Sequence, residues 1–333
     1  MKKYFVLILS LALTISFASK TLAQEKIGIM LLEHGGDQAY NEGAEKIRSE
    51  VKAATGVPVE LGFVCCVTWG VSGSMQYAVN KLESQGVRKI VIIPCFINNQ
   101  DAALLSRAAY ILGIGPKPSA PADREMMGEP ITHVKAKASF FFMDGWEDSP
   151  LIARILLDRA GELSKDPKNE TLFVIDHGAT YDWEMAAYDK SIKAFVEQVK
   201  KNSLYKRVIM NYFRDDAEKE IKAKQLEEIR SQLTEASKDS KVIIVWPMVQ
   251  NIRSFQPGGK WVKRLEGLNF VYTTKGMVDH PNLVKLIKET YEKCAASGEF
   301  IKSDPSKYAD KDKKEEAPQG ESSGHAHSHG SSM

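Results

Sequence analysis

Apolar residues fall along the chain in two alternating patterns. Lys26 to Leu32 (KIGIMLL) is an almost unbroken apolar run, as in a strand buried on both faces, and it ends in the turn Glu33-His34-Gly35-Gly36. From about Asn41 the period becomes helical, with Ala44, Ile47, Val51 and Ala54 on one face. Val57 to Val64 reads as a second strand and Ser72 to Gln85 as a helix with Met75, Val79 and Leu82 inward, stopped by Gly86. Arg88 to Pro94 (RKIVIIP) is a third strand, Ile131 to Ala136 an expected fourth, and Pro150 to Leu163 a helix. Strands that alternate with helices imply a parallel sheet covered on both faces.

The second half repeats that order. Thr171 to Asp176 (TLFVID) is a strand ending in His177-Gly178, and a long helix follows to about Lys200. Lys206 to Tyr212 is a strand, Ala217 to Ser237 a helix, Lys241 to Pro247 and Leu268 to Thr273 are strands, and His280 to Cys294 is the closing helix. Three anchors align the halves: His34-Gly35 with His177-Gly178, the strand ending at Pro94 with that ending at Pro247, and Asp148-Ser149-Pro150-Leu151 with Asp279-His280-Pro281-Asn282-Leu283. The expected fold class is therefore α/β, two similar doubly wound lobes each with a four-stranded parallel sheet. The expected boundaries are 1–23 for a leader, 24–165 and 166–302 for the lobes and 303–333 for a tail. Gly113 to Pro130, with four prolines, is a long first-lobe loop, of the kind that is usually functional or mobile.

The ends of the chain add a compartment. Lys2-Lys3, the apolar run Tyr4 to Phe17 and Thr21-Leu22-Ala23 read as a Sec signal peptide cleaved before Gln24, with an uncleaved anchor as the alternative. The expected location is thus periplasmic or secreted, with no membrane span after cleavage. The 45 Lys and Arg against 43 Asp and Glu become 42 against 43 once Lys2, Lys3 and Lys20 are removed, a balance that argues against a nucleic-acid partner. Cys65, Cys66, Cys95 and Cys294 read as buried small hydrophobes, the alternative being a disulfide from Cys65 or Cys66 to Cys95. From Ser303 the chain is polar and expected to be disordered. In it His325, His327 and His329 alternate with small residues, a spacing that lets a flexible segment wrap Co²⁺, Ni²⁺ or Zn²⁺.

In open α/β sheets ligands bind beyond the carboxyl ends of the strands, where His34 and His177 both fall. Imidazole is largely neutral near pH 7 and can serve as ligand or base. A strand-end histidine can equally do no more than satisfy a turn, the reading weighted against His177 more than against His34. Gly35 and Gly36 permit positive φ and leave room for a flat ligand. Glu33 and Asp176 alternate to the opposite face and are not assigned to the site. His133 and His280 read as structural. Trp69, Trp183 and Trp246 are aromatic surfaces, Trp246 as part of the core.

A strand ending in His-Gly, then helix, strand, helix, a strand ending in Pro and a closing Asp-x-Pro-Leu helix, present twice, resembles the class II tetrapyrrole chelatases. The likeness is to the long, two-lobed sirohydrochlorin cobaltochelatase group, and Phe213-Arg214-Asp215-Asp216-Ala217 is also similar to those members. The resemblance spans Lys26 to Cys294. It implies a lyase of the cobalamin-biosynthesis type that inserts a divalent metal, Co²⁺ or Fe²⁺ and by extension Ni²⁺, into a cyclic tetrapyrrole held between the lobes. The metal is substrate and no organic cofactor is used. His34 takes the place of the family's metal ligand and pyrrole proton acceptor, and Gln100, within Ile97 to Arg107, stands where the family carries a second histidine. Glutamine is a poor ligand for such ions and no base. Arg107, Arg214 and Arg253 are candidate partners for tetrapyrrole carboxylates. The alternative is a non-catalytic extracytoplasmic protein that binds a tetrapyrrole or metal, and a two-lobed solute receptor comes third. A homo-oligomer is compatible with either of the first two.

Overall fold

The computed structural model describes residues 25–65, 70–97, 102–117, 131–180 and 182–308. The expected leader, Cys66, Trp69, Gln100 and the three tail histidines lie outside them, as does the side chain of Trp183. In the first lobe β1 (Lys26–Glu33), α1 (Gln38–Thr55), β2 (Val59–Phe63), α2 (Val71–Ser84), β3 (Val87–Pro94), α3 (Ala102–Ile111), β4 (Ser139–Phe142) and α4 (Pro150–Gly161) follow one another. The second lobe runs β5 (Glu170–Asp176), α5 (Asp182–Asn202), β6 (Arg207–Tyr212), α6 (Lys219–Ala236), β7 (Lys241–Val245), α7 (Lys260–Arg264), β8 (Val271–Tyr272) and α8 (Pro281–Ser297), and β9 (Ile301–Lys302) follows.

The two sheets have the orders β2-β1-β3-β4-β9 and β6-β5-β7-β8. All pairings are parallel except β4 with β9. The doubly wound expectation holds, and the first sheet has a fifth, antiparallel strand that the sequence pattern does not announce. That strand comes from the end of the second lobe, so the chain returns to tie the first. The backbone N–H of Asp304 donates to the Gly113 carbonyl at 2.8 Å, and Pro305–Tyr308 forms a 3₁₀ turn. The first six residues of the expected tail, Ser303 to Tyr308, are therefore ordered, because backbone pairing replaces the missing apolar burial.

The fourth strand is displaced from Ile131–Ala136 to Ser139–Phe142. The earlier segment is irregular and its backbone donors are taken up elsewhere: Ser72 accepts from Thr132 N, the Ile111 carbonyl from Val134 N, Gln76 from Lys135 N, and Glu83 from Lys137 N and Ala138 N. No ladder is left for it to join. Helices α3 and α7 were not expected. In α1, Asp37 caps the start by accepting from Tyr40 N, Gly56 ends it at φ 71°, and Ala44, Ile47 and Val51 are buried while Ala54 is exposed.

One apolar cluster joins the lobes. Ile29, Leu31 and Val91 of the first sheet and Leu172, Val174 and Ile243 of the second face a shared layer of α1, α4, α5 and α8. The outer faces carry separate clusters, one around Met30, Val79 and Phe140, the other around Phe173, Trp246 and Trp261. Since the inner layer belongs to both sheets, the edges that carry His34 and His177 are held in one body. Trp261 sits among Phe213 at 5.1 Å and Trp246 at 5.6 Å between ring centroids and is fully buried. Trp261→Ala is expected to cost about 3–5 kcal/mol of stability, read from the urea midpoint by circular dichroism; a cost under ~1 kcal/mol would mean that the cluster repacks.

Candidate functional site

β1 and β5 each lie between two neighbours reached by opposite windings, so their carboxyl ends are the switch points of the two sheets. The two ends are built alike. Glu33 and Asp176 are the last strand residues, and their carbonyls accept from Val64 N at 2.9 Å and Phe213 N at 3.0 Å. His34 and His177 follow, their carbonyls accepting from Cys65 N at 2.8 Å and Arg214 N at 2.7 Å. Gly35 and Gly178 come next at φ 91° and 81°. A Cβ at Gly178 would stand 2.8 Å from Tyr212 Cβ, so both φ and space demand glycine there. Gly36 is not in the left-handed region; its role is space, since a Cβ would lie 2.9 Å from the Tyr40 side chain.

The two imidazoles differ where the backbones agree. In each, Nδ1 lies 2.8 Å from the carbonyl of the following glycine, and a carbonyl only accepts, so Nδ1 carries a proton. His34 Nε2 then keeps its lone pair. Burial holds the His34 pKa below the usual value against the Gly35 hydrogen bond, and the charge of His177 lowers it further. His34 is thus neutral at pH 7, and it lies within electrostatic reach of His177 on the other lobe. At His177, burial opposes the charge but Asp216 outweighs it, by a 3.2 Å contact to Nε2 and by its charge, and the pKa rises to about 9. Arg107 also depresses His34. Arg107, a candidate partner for tetrapyrrole carboxylates, is buried, and its guanidinium donates to the Val64 carbonyl at 3.2 Å, supporting the end of β2.

Glu33 and Asp176, left out of the site by alternation, do point away from the histidines' face, yet both are buried. Tyr40 donates to Glu33 at 3.0 Å and Tyr188 to Asp176 at 2.5 Å. Burial raises both carboxyl pKa values, that of Glu33 to about 7. Glu33 also accepts from Gln250 Nε2 at 3.3 Å, across the seam between the lobes. Gln250 Oε1 is buried without a partner and stands 2.1 Å from where a Cβ on Gly43 would be, so the lobes meet at van der Waals distance there. A paired acidic residue at each strand end, with a tyrosine one or two helical turns on, is the signal that the sequence reading passed over.

Arg214 adopts φ 47°, held there by donation to the carbonyls of Ala179 at 3.0 Å and Thr180 at 3.1 Å and to Asp182 at 2.7 Å. It shapes the turn after His177 and is spent on doing so. Arg253 is exposed, 4.0 Å from Asp37 of the other lobe, at a seam cavity of about 680 Å³ that Gln256, Thr274 and Lys275 also line. His133 donates Nδ1–H to the Tyr110 carbonyl at 2.7 Å, and His280 caps α8 by accepting from Asn282 N at 3.2 Å, so both are structural. Trp246 is buried and donates to the Thr273 carbonyl. Cys95 and Cys294 are buried free thiols. Cys65 is disulfide-bonded, which corrects its reading as a small hydrophobe; with Cys95 free, the alternative bridge to Cys95 is excluded as well. Among the described residues no three His, Cys, Asp or Glu side chains converge to hold a metal ion, and no helix is long and apolar enough to cross a membrane.

No protein-family model and no curated protein matches the chain. Among solved structures it is similar to SirB from Bacillus subtilis with Fe³⁺, at 15% identity and TM-score 0.60, over 83% of this chain and 99% of that one. The fold is chelatase-like. A second similar structure is the sirohydrochlorin chelatase SirB from Bacillus subtilis subspecies spizizenii in complex with cobalt, at 11% identity and TM-score 0.54, over 82% and 97% of the chains. DR2241 from Deinococcus radiodurans, a multi-domain protein with structural similarity to chelatases, matches at 12% identity and TM-score 0.50, over 79% of this chain and 54% of that one. In the chelatase-like frame, His34 and His177 occupy corresponding strand ends of two lobes that share one core.

Proposed function

We propose that the protein inserts a divalent metal, Co²⁺ or Fe²⁺, into a cyclic tetrapyrrole such as sirohydrochlorin. The observation that carries this reading is His34: a neutral imidazole with an unshared Nε2 lone pair, at the switch point of a chelatase-like sheet and within electrostatic reach of His177 on the second lobe. Insertion strips water from the ion and removes two pyrrole protons, and such a nitrogen can hold the ion or take a proton. The metal and the macrocycle are substrates. The test is the initial rate of Co²⁺ insertion into sirohydrochlorin by the full chain without its leader; a rate no greater than that of the uncatalysed reaction would refute it.

A second reading, a protein that binds a tetrapyrrole or metal without turnover, draws on Gln100 and on His177. Glutamine cannot act as a base, and both ring nitrogens of His177 are engaged. Tight tetrapyrrole binding with no insertion would favour it. In either case we place the protein outside the cytoplasm, a placement that N-terminal sequencing of the exported chain tests by finding Gln24 first. The tail is proposed as a metal-loading segment: truncation after Gly320 should leave the melting temperature unchanged and lower the Co²⁺ stoichiometry in titration calorimetry. Unchanged stoichiometry and affinity would remove the tail from the function.

A further inference from the structure

The second lobe's histidine is not a copy of the first in chemical terms. Both atoms that meet the His177 ring are pure acceptors: the Gly178 carbonyl at Nδ1, 2.8 Å, and the Asp216 carboxylate at Nε2, 3.2 Å. A neutral imidazole has one donor and one acceptor nitrogen, so it satisfies only one of these contacts. A ring that satisfies both carries two protons.

Asp216 is held in place for this. Its neighbour Asp215 is buried and accepts from Trp261 Nε1 at 2.5 Å, from Lys260 at 2.7 Å and from Arg264, all on α7. The turn is closed by Ala217 N on the Arg214 carbonyl at 3.0 Å. Asp215 is thus fully engaged by α7, and the next carboxylate is delivered to the ring. Around His177 stand Asp215 and Asp216 from this turn, Asp176 from β5, the Trp261 ring at 6.3 Å from α7, and His34 from the first lobe. Arg214, the adjacent cation, is turned toward Ala179, Thr180 and Asp182. The sum at the ring is negative charge, which favours the imidazolium.

We infer that Asp216 is a positioning residue that keeps His177 doubly protonated, so that the second lobe carries a fixed cation at its strand end and, of the two strand-end histidines, only His34 offers a nitrogen lone pair. This deepens the chelatase reading and rests on it for its role: a divalent ion is repelled from the second lobe and directed to the first. The asymmetry itself stands on hydrogen bonds and can be measured without turnover.

The test is a ¹⁵N-resolved NMR titration of the His177 ring in the full chain without its leader. Two ring protons are expected through pH 8, with loss near pH 9. In Asp216→Asn the amide can donate to Nε2, so the midpoint should fall to ~6.5 or below. Asp216→Glu should restore a high midpoint, and the Trp261 indole signal reports that the turn is intact in each variant. On adding Co²⁺ at pH 7.5, paramagnetic shifts should appear at the His34 ring and leave His177 with both protons. A wild-type His177 that deprotonates near or below pH 6.5 overturns the proposal, whether or not the variants fold. So does an Asp216→Asn protein that titrates like wild type, or a His177 ring bound to Co²⁺. A protein that fails to insert metal but keeps a doubly protonated His177 would sink the enzymatic reading and leave the pair standing.

Discussion

His34→Ala is expected to lower Co²⁺ insertion into sirohydrochlorin, and tetrapyrrole-dependent Co²⁺ binding, by tenfold or more, with His177→Ala falling short of that loss. A lost base typically costs ~10² to 10⁴ in rate, and loss of even a supporting contact to a metal ligand costs ~10- to 100-fold in affinity or activity. The ranking follows from the lone pairs. His34 donates one N–H to Gly35 and keeps Nε2 available, while His177 commits both nitrogens. The pH profile should carry the same mark. Because burial and the neighbouring cation hold the His34 pKa below its ordinary value, its working form persists under mildly acidic conditions, and wild-type activity should fall only at a pH below ~6.5. Initial rates of the three proteins at saturating metal decide the ranking. Equal losses from the two substitutions would show that the second ring takes part in the chemistry on the same terms as the first.

The strands of the parallel sheets were legible because a buried parallel strand is an apolar run of limited length between turn residues, and β1, β3, β5 and β7 are such runs. The repeat puts His34 and His177 at equivalent strand ends, and the two turns are built alike. What failed depended on partners far away in sequence. Ile131–Ala136 stands where the alternation of elements calls for a strand, but Ser72, Gln76 and Glu83 of α2 take up backbone donors of the segment Thr132–Ala138. β9 is two residues long and exists only because β4 offers an edge. Helix α3 is legible in the sequence, since Leu105, Ala108 and Ile111 recur at helical spacing and are buried. At the site, alternation placed Glu33 on the face opposite His34, and that geometry holds. The face opposite His34 is the seam between lobes, where Glu33 meets Gln250, and alternation alone does not reveal that. The difference between His34 and His177 rests on Asp216, a residue whose approach to the ring is set by how α7 grips Asp215. No periodicity encodes such a contact.

Glu33→Gln is expected to stabilise the protein at pH 8 and to leave its stability almost unchanged at pH 4.5. The Glu33 carboxyl is fully buried, and the groups that meet it are the Tyr40 hydroxyl, the Cys95 thiol and the Gln250 amide, none of them a cation. Desolvation therefore prevails over three hydrogen bonds, and the pKa rises from 4.5 to about 7. A folded-state value above the unfolded one contributes stability that is fully present below pH ~4.5 and is lost as the pH rises through 7. At 1.36 kcal/mol per pH unit, ionisation costs the native state about 3 kcal/mol above that window. Glutamine mimics the protonated carboxyl in size and neutrality, so the variant escapes that cost. It also brings an N–H₂ group to the seam, where Gln250 Oε1 is buried without a donor. The Tyr40 hydroxyl keeps an oxygen to donate to. Other titrating groups are common to the two proteins, so the difference in unfolding free energy at each pH isolates position 33. Urea unfolding from pH 4.5 to 8 should show that difference growing with pH toward about 3 kcal/mol, most steeply between pH 5 and 7. A variant less stable than wild type at pH 8 would mean that the carboxylate's hydrogen bonds outweigh its desolvation.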